Sequence, residues 1–211
     1  MYLIKSNVCF KLLYPHRLWK MPVGQEKVIY ITFDDGPHPV ATRFALDTLK
    51  TFNAKASFFC IGKNIEANPA LFEETSLAGH TIGNHTFNHL NGWKTSVTQY
   101  IADIEKTRAL VDSPLFRPPY GRMSKAQQRA LLAKFPDTQI VMWDLLSGDF
   151  DINIQPEKCW DNVRRNCNSG SILVFHDSTK AFERMQYALP KTLEYFSARG
   201  YSFKSLPVGS P

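Results

Sequence analysis

No C-x-x-C pair occurs in this chain, so neither a zinc ribbon nor a thioredoxin-type redox motif is open to it. Its four cysteines, Cys9, Cys60, Cys159 and Cys167, are scattered. Cys60 closes the apolar run Ser57–Ile61 and reads as a buried thiol, and Cys159 and Cys167 read as two free thiols. A glycine-rich dinucleotide or phosphate loop is also missing, which excludes a cofactor held in that way. There is no long basic block: the net charge of +6 (25 basic against 19 acidic residues) is spread out, reads as a solvated surface, and carries no nucleic-acid signature. No apolar run approaches the roughly 20 residues of a membrane span. Met1–Met21 is apolar and aromatic, but Lys5, Lys11, Arg17 and Lys20 interrupt it and no small-residue cleavage site follows, so it does not read as a signal peptide and a cytoplasmic location is expected. Within it, Leu12, Leu13, Tyr14, Leu18 and Trp19 either pack against the domain, the preferred reading, or lie on a membrane surface with the basic residues outward.

What is present is a soluble composition, 44% hydrophobic and 21% charged over 211 residues, enough for one domain with a substantial core. Short apolar strands alternate with helical patterns from about residue 27. Strands are predicted at Val28–Phe33, Ala56–Ile61, His80–Gly83, Leu115–Phe116, Gln139–Trp143, Ser171–Phe175 and Tyr201–Phe203. Helices are predicted at Val40–Phe52, from Pro69, from Val97 towards Val111, and at Lys125–Phe135, Pro156–Cys167 and Ala181–Arg199. No linker, repeat or low-complexity tract breaks the series. The organisation reads as an N-terminal segment over 1–26, one α/β domain over 27–206 and a tail over 207–211. Unbroken β-α units imply a parallel sheet. Polar motifs follow several different strands, which selects a barrel over a doubly wound sheet with its single switch point.

Those motifs carry the chemistry. Thr32-Phe33-Asp34-Asp35-Gly36-Pro37 ends one strand in paired carboxylates, and His85-Thr86-Phe87-Asn88-His89 follows another. An H-x3-H spacing lets two imidazoles reach one cation, from one helical face or from a tight strand-to-helix turn. Two imidazoles and one carboxylate leave a coordination position open, as in a catalytic site. One aspartate can then bind metal while its neighbour handles protons. Phe116-Arg117-Pro118-Pro119-Tyr120-Gly121, Trp143–Phe150 and Ile172–Asp177 are three further places where polar residues end apolar runs.

With these five segments in order, over roughly residues 27 to 206, the chain resembles the polysaccharide deacetylase family (the NodB-homology domain, carbohydrate esterase family 4). The resemblance implies a distorted (β/α) barrel of about seven strands in a single domain. It implies a divalent metal, zinc first with cobalt, nickel or iron as alternatives, held by Asp35, His85 and His89. It implies Asp34 as general base, His176 as general acid with Asp149 as its partner (Asp177 being the local alternative), and Arg117 orienting Asp34. The backbone N–H of Tyr120 is implied as an oxyanion donor. Trp143 is the best candidate for a pocket wall, with Phe150, Phe87 and Trp93 as further aromatic candidates. The implied substrate is an N-acetylglucosamine-containing glycan, chitin-like or peptidoglycan-like. Acetylxylan esters, small amides, and glycan binding without turnover are the alternatives. Two positions depart from the family pattern: Phe150 stands where a tryptophan is usual, and Val174 where a leucine is usual.

Overall fold

The strand Val28–Asp34 (β1) is rich in β-branched and aromatic residues and is buried on both faces, which places it at the centre of a parallel sheet. It pairs with β2 (Ser57–Cys60) on one side and β7 (Ile172–His176) on the other, and its first residues pair with β8 (Ser202–Phe203). The computed structural model describes residues 3–6 and 8–208, and among these the main strand order is β5-β4-β3-β2-β1-β7-β6, all parallel. The remaining strands are β3 (Thr81–Asn84), β4 (Leu115–Phe116), β5 (Gln139–Ile140) and β6 (Leu145–Leu146).

Helices α2 (Ala41–Thr51), α7 (Pro156–Asn166) and α8 (Phe182–Ser197) cover the sheet with apolar faces. The core runs from Phe33, stacked on Phe58 at 4.8 Å, out to Leu49, Val163 and Leu193. Helices α5 (Val97–Arg108) and α6 (Lys125–Lys134) start where Ser96 and Ser124 accept from Gln99 and Gln127 backbone N–H groups. This is the parallel sheet that the β-α alternation implies, in the distorted (β/α) barrel that the family resemblance implies.

Three local differences from the sequence reading have physical causes. The strand expected over Gln139–Trp143 is cut to two residues, and a further strand, β6, follows. This run has to serve two partners: Val141 N–H donates to Phe116 O at 2.8 Å on one side, and Asp144 N–H donates to Ile172 O at 3.1 Å on the other. A straight strand cannot do both, so the chain bends between them. Helices α3 (Gly62–Ala67) and α1 (Val8–Leu13), six residues each, are too short to show a hydrophobic period, and α4 follows at Pro69–Leu77.

The N-terminal segment lies along the bend. Leu146 N–H donates to Ile4 O, Ser6 N–H to Asp144 O, Leu18 N–H to Ile140 O and Met142 N–H to Leu18 O, at 2.7–2.9 Å. Leu12 and Leu13 do not pack, being 75% and 61% exposed. At the other end, Leu206 N–H donates to Ser57 Oγ, and residues 209–211 of the tail lie outside the described residues. Cys60, Cys159 and Cys167 are free thiols, and the side chain of Cys9 lies outside the described residues. Among the described residues no helix is long and apolar enough to cross a membrane.

Candidate active site

Strand register delivers the motifs to one rim. Asp34 and His176 are partners across β1 and β7, and Asn84 is opposite Phe116, so His85 and Arg117 leave the sheet side by side. Parallel strands end at the same face, and the rim is their carboxyl end.

Arg117 is fully buried. Its guanidinium donates to Asp34 Oδ1 at 2.6 Å, Thr32 Oγ1 at 2.8 Å, Met142 O at 2.9 Å and Val141 O at 3.3 Å, and lies 4.1 Å over the Phe59 ring. A buried cation survives only when its donors are met in this way. Burial works to raise the pKa of Asp34, but Arg117, with His85 and His176, outweighs it and holds the carboxyl below the usual range. Asp34 is therefore an ionised, fixed proton acceptor at neutral pH.

Asp35, His85 and His89 converge, with one ligand-type atom from each lying within 4.8 Å of the others. His85 Nδ1 is 2.8 Å from the Arg117 carbonyl, which only accepts, so Nδ1 carries the proton and Nε2 presents its lone pair. His85 Nε2 and His89 Nε2 lie 3.9 and 3.3 Å from Asp35 Oδ1. These would be ion pairs only if the rings were charged. Burial lowers the pKa of both rings, and the neighbouring His85 helps push His89 down to about 4, so both are neutral. Asp35 Oδ1 is then a buried carboxylate oxygen with no hydrogen-bond donor. A buried carboxylate oxygen without a donor, set between the His85 lone pair and the neutral His89 ring, is a costly arrangement that a divalent cation would relieve. The donor set fits a metal.

The two histidines come from a tight turn, not a helix face. Thr86 and His89 have φ of 63° and 56°, Asp35 has 87° and Tyr120 has 59°, so four of the five described non-glycine residues with positive φ stand at this rim. Neighbouring side chains hold those conformations. Asp103, buried on α5, accepts from Phe87 N–H, Asn88 N–H and Asn88 Nδ2 at 2.6–2.9 Å, and Asn84 Oδ1 accepts from Thr86 N–H at 2.8 Å. Asn64 Nδ2 donates to the Asp35 carbonyl at 2.7 Å. Asp177 turns away from His176: it accepts from Gly36 N–H at 2.9 Å and Thr42 Oγ1 at 2.5 Å, filling the space a Gly36 side chain would need. Burial, with the charge of Asp35, pushes the Asp177 carboxyl up to about 8 against those hydrogen bonds. Asp177 is thus not the partner of His176, and Asp103, Asn84 and Asn64 are supporting residues that the sequence reading does not single out. The one available signal was Asp103, an acid on the buried stripe of Tyr100, Ile101, Ile104 and Thr107.

On the opposite side, His176 Nδ1 lies 2.8 Å from Asp149 Oδ1, and His176 N–H donates to Asp149 Oδ2 at 2.6 Å. Burial lowers the pKa of this ring, but the fully buried Asp149 carboxylate overcomes it by charge and hydrogen bond, raising it to about 9. The Phe150 ring meets His176 edge-on at 5.2 Å.

Asp34, Asp35, His85, His89 and His176 open into a cavity of about 420 Å³ walled by Tyr120, Trp143, Leu146 and Phe150. The Tyr120 ring packs against His89 at a tilt, with centroids 4.6 Å apart. Two expected wall residues are elsewhere. Phe87 packs under Gly62 and Lys106, and Trp93, 68% exposed, borders a neighbouring cleft. Phe87 is drawn away because the turn that aims the histidines inward aims the residue between them outward.

The polysaccharide deacetylase family model matches residues 22–135. A peptidoglycan-N-acetylglucosamine deacetylase of Bacillus cereus is 37% identical over 191 residues, 88% of each chain. A chitooligosaccharide deacetylase of Azorhizobium caulinodans is 29% identical over 197 residues, covering 85% of this chain and 92% of that one. Among solved structures, the Bc1960 peptidoglycan N-acetylglucosamine deacetylase superposes with a TM-score of 0.83 at 28% identity, over 94% of each chain.

Proposed function

Since the chain belongs to the polysaccharide deacetylase family, we propose that it is a hydrolase removing N-acetyl groups from N-acetylglucosamine units of a peptidoglycan-like or chitin-like glycan. One observation carries the reading: an ionised carboxylate (Asp34) and a cationic imidazole (His176) at paired strand ends, flanking a cation-fitting cluster at the mouth of one cavity.

Asp35, His85 and His89 would hold a divalent ion. Zinc suits two imidazoles and a carboxylate, and cobalt, nickel or iron accept the same donors. When bound, such an ion supplies Lewis acidity to water and to the acetamide carbonyl. The protein does the rest. Asp34 accepts the proton of the attacking water, and Arg117 keeps that carboxylate in one pose and ionised. The backbone N–H of Tyr120, at the cavity wall, is the donor assigned to the developing oxyanion. His176, charged in advance because Asp149 is buried against it, protonates the departing amine nitrogen. Trp143 and Phe150 bound the space left for the sugar and limit water access.

The deciding experiment follows acetate from N-acetylglucosamine oligomers after chelation and metal return. Chelated protein should be inactive, and stoichiometric zinc should restore release. Restored zinc binding with acetate released only from acetylated xylan would move the substrate to esters, and no release from either would leave binding without turnover. Asp103 gives a further expectation. Asp103→Ala leaves the turn N–H groups of Phe87 and Asn88 without their acceptor, so zinc affinity, measured by chelator competition, should fall by about 10- to 100-fold, as for other outer partners of metal ligands. Unchanged affinity would show that the turn holds its shape alone.

A further inference from the structure

Arg184, in the first turn of α8, is a buried cation, 5% exposed, to which the proposed reaction gives no part. Its Nε donates to the Asp149 carbonyl at 2.7 Å and its Nη2 to the Lys180 carbonyl at 2.5 Å. The adjacent carboxylate of Glu183 stands largely in water, 3.4 Å from Nη1. On stability grounds the position is a poor one. A buried cation with so weak a counter-charge is costly, and the first turn of a helix disfavours positive charge.

The two carbonyls belong to different loops. Asp149 lies between β6 and α7, and Lys180 lies between β7 and α8, four residues after His176. The guanidinium therefore ties the loop that carries Asp149 to the loop that leaves His176. Both oxygens of the Asp149 carboxylate are turned on His176, Oδ1 to the ring and Oδ2 to the backbone N–H. The aim of that carboxylate thus follows from where its backbone is held. Asp149 N–H makes a long bond of 3.3 Å to Ser147 Oγ, whereas the bond from Arg184 to the carbonyl is shorter and charge-assisted.

We infer that Arg184 is a positioning residue for the general acid, holding the Asp149 backbone so that the carboxylate stays on His176 Nδ1 while the ring delivers its proton. A buried arginine then braces each side of the site: Arg117 grips the side chain of Asp34, and Arg184 the main chain of Asp149. Lysine would keep the charge, but its single nitrogen lacks the planar fork that spans two carbonyls. A displacement of about 1 Å in such a site can cost about 10²-fold in rate.

This role rests on the deacetylase reading, and the test keeps the two apart. Protonating the leaving group matters for an amine and little for a good leaving group such as 4-nitrophenolate. Zinc-loaded Arg184→Lys should lose about 10- to 100-fold in kcat on N-acetylglucosamine oligomers, with KM within about twofold of wild type. On 4-nitrophenyl acetate the loss should stay within about threefold. In a His176→Ala background the same change should cost little more, because both residues act through one proton. Equal losses on the two substrates, or a full further loss without His176, would make Arg184 structural and overturn the inference. Arg184→Gln takes the place of a lysine variant that does not fold, and if both melt below the assay temperature the inference also falls. If wild type releases no acetate from the oligomers, the deacetylase reading fails, and proton NMR decides the positioning alone. The His176 Nδ1–H, bonded to a buried carboxylate, should give a far-downfield line in wild type. Its loss in folded Arg184→Lys supports the inference, and its persistence there or its absence from wild type refutes it.

Discussion

Asp34→Asn should lower kcat for acetate release by about 10²- to 10⁴-fold, the range that general-base groups contribute. Asparagine keeps the size and an acceptor oxygen but takes no proton at neutral pH. The loss should fall on kcat, because the side chain is fixed by Arg117, itself held by Thr32, and acts on the attacking water. Metal affinity is a separate readout. Asp34 is not among the converging ligand atoms, so zinc binding by the variant should stay near that of wild type. Removing the carboxylate charge also leaves the Arg117 cation buried without its counter-ion, which typically costs about 3–5 kcal/mol. A melting curve at the assay temperature therefore accompanies the kinetics. A folded, zinc-loaded Asp34→Asn enzyme working within a few-fold of wild type would remove Asp34 from the role of base.

Both the architecture and the converging residues were legible in the sequence, because the information was local. The Val-Ile-Tyr-Ile-Thr-Phe run declares a buried strand, and the aspartates and the H-x3-H follow strands directly. Parallel register then does the remaining work: residues that end strands meet at one rim, as Asp34 and His176 do. What stayed hidden depends on long-range contacts. Asp103 is fifteen residues beyond Asn88 and supports it only once α5 packs against β3. The bend at Val141–Asp144 exists because that run pairs with β4 and β7 together, which no strand propensity encodes. The outward turn of Phe87 follows from the positive φ of Thr86 beside it, a conformation that threonine does not advertise. The cleft that Trp93 borders needs residues 3–6 and 8–19 folded back on the barrel, a placement fixed by long-range backbone hydrogen bonds such as Leu146 N–H to Ile4 O.

Asp149→Asn should move the basic limb of the pH profile. His176 must be charged to protonate the leaving amine, and with Asp149 in place its pKa is raised to about 9, so kcat/KM should decline only above about pH 9. Asparagine supplies no charge. Burial is then opposed only by the smaller pull of Asp35 and Asp34, so the ring should fall back to about its ordinary 6.5 and the limb should shift acid by about two units. At pH 8 the charged fraction would drop from about nine-tenths to a few hundredths, a loss of roughly 30-fold or more that shrinks as the assay is taken down to pH 6. A purely structural role for Asp149 would scale activity equally at every pH. Stability gives an independent check on the same ring. A histidine whose folded pKa is raised contributes stability that is fully present below the unfolded value near 6.5 and is lost as pH climbs through about 9. Wild-type unfolding free energy should therefore slope downward across pH 6.5–9 from this group, and the variant should lose that slope. A variant that keeps both the limb near 9 and the slope would show that another group, and not the Asp149 carboxylate, holds the proton on His176.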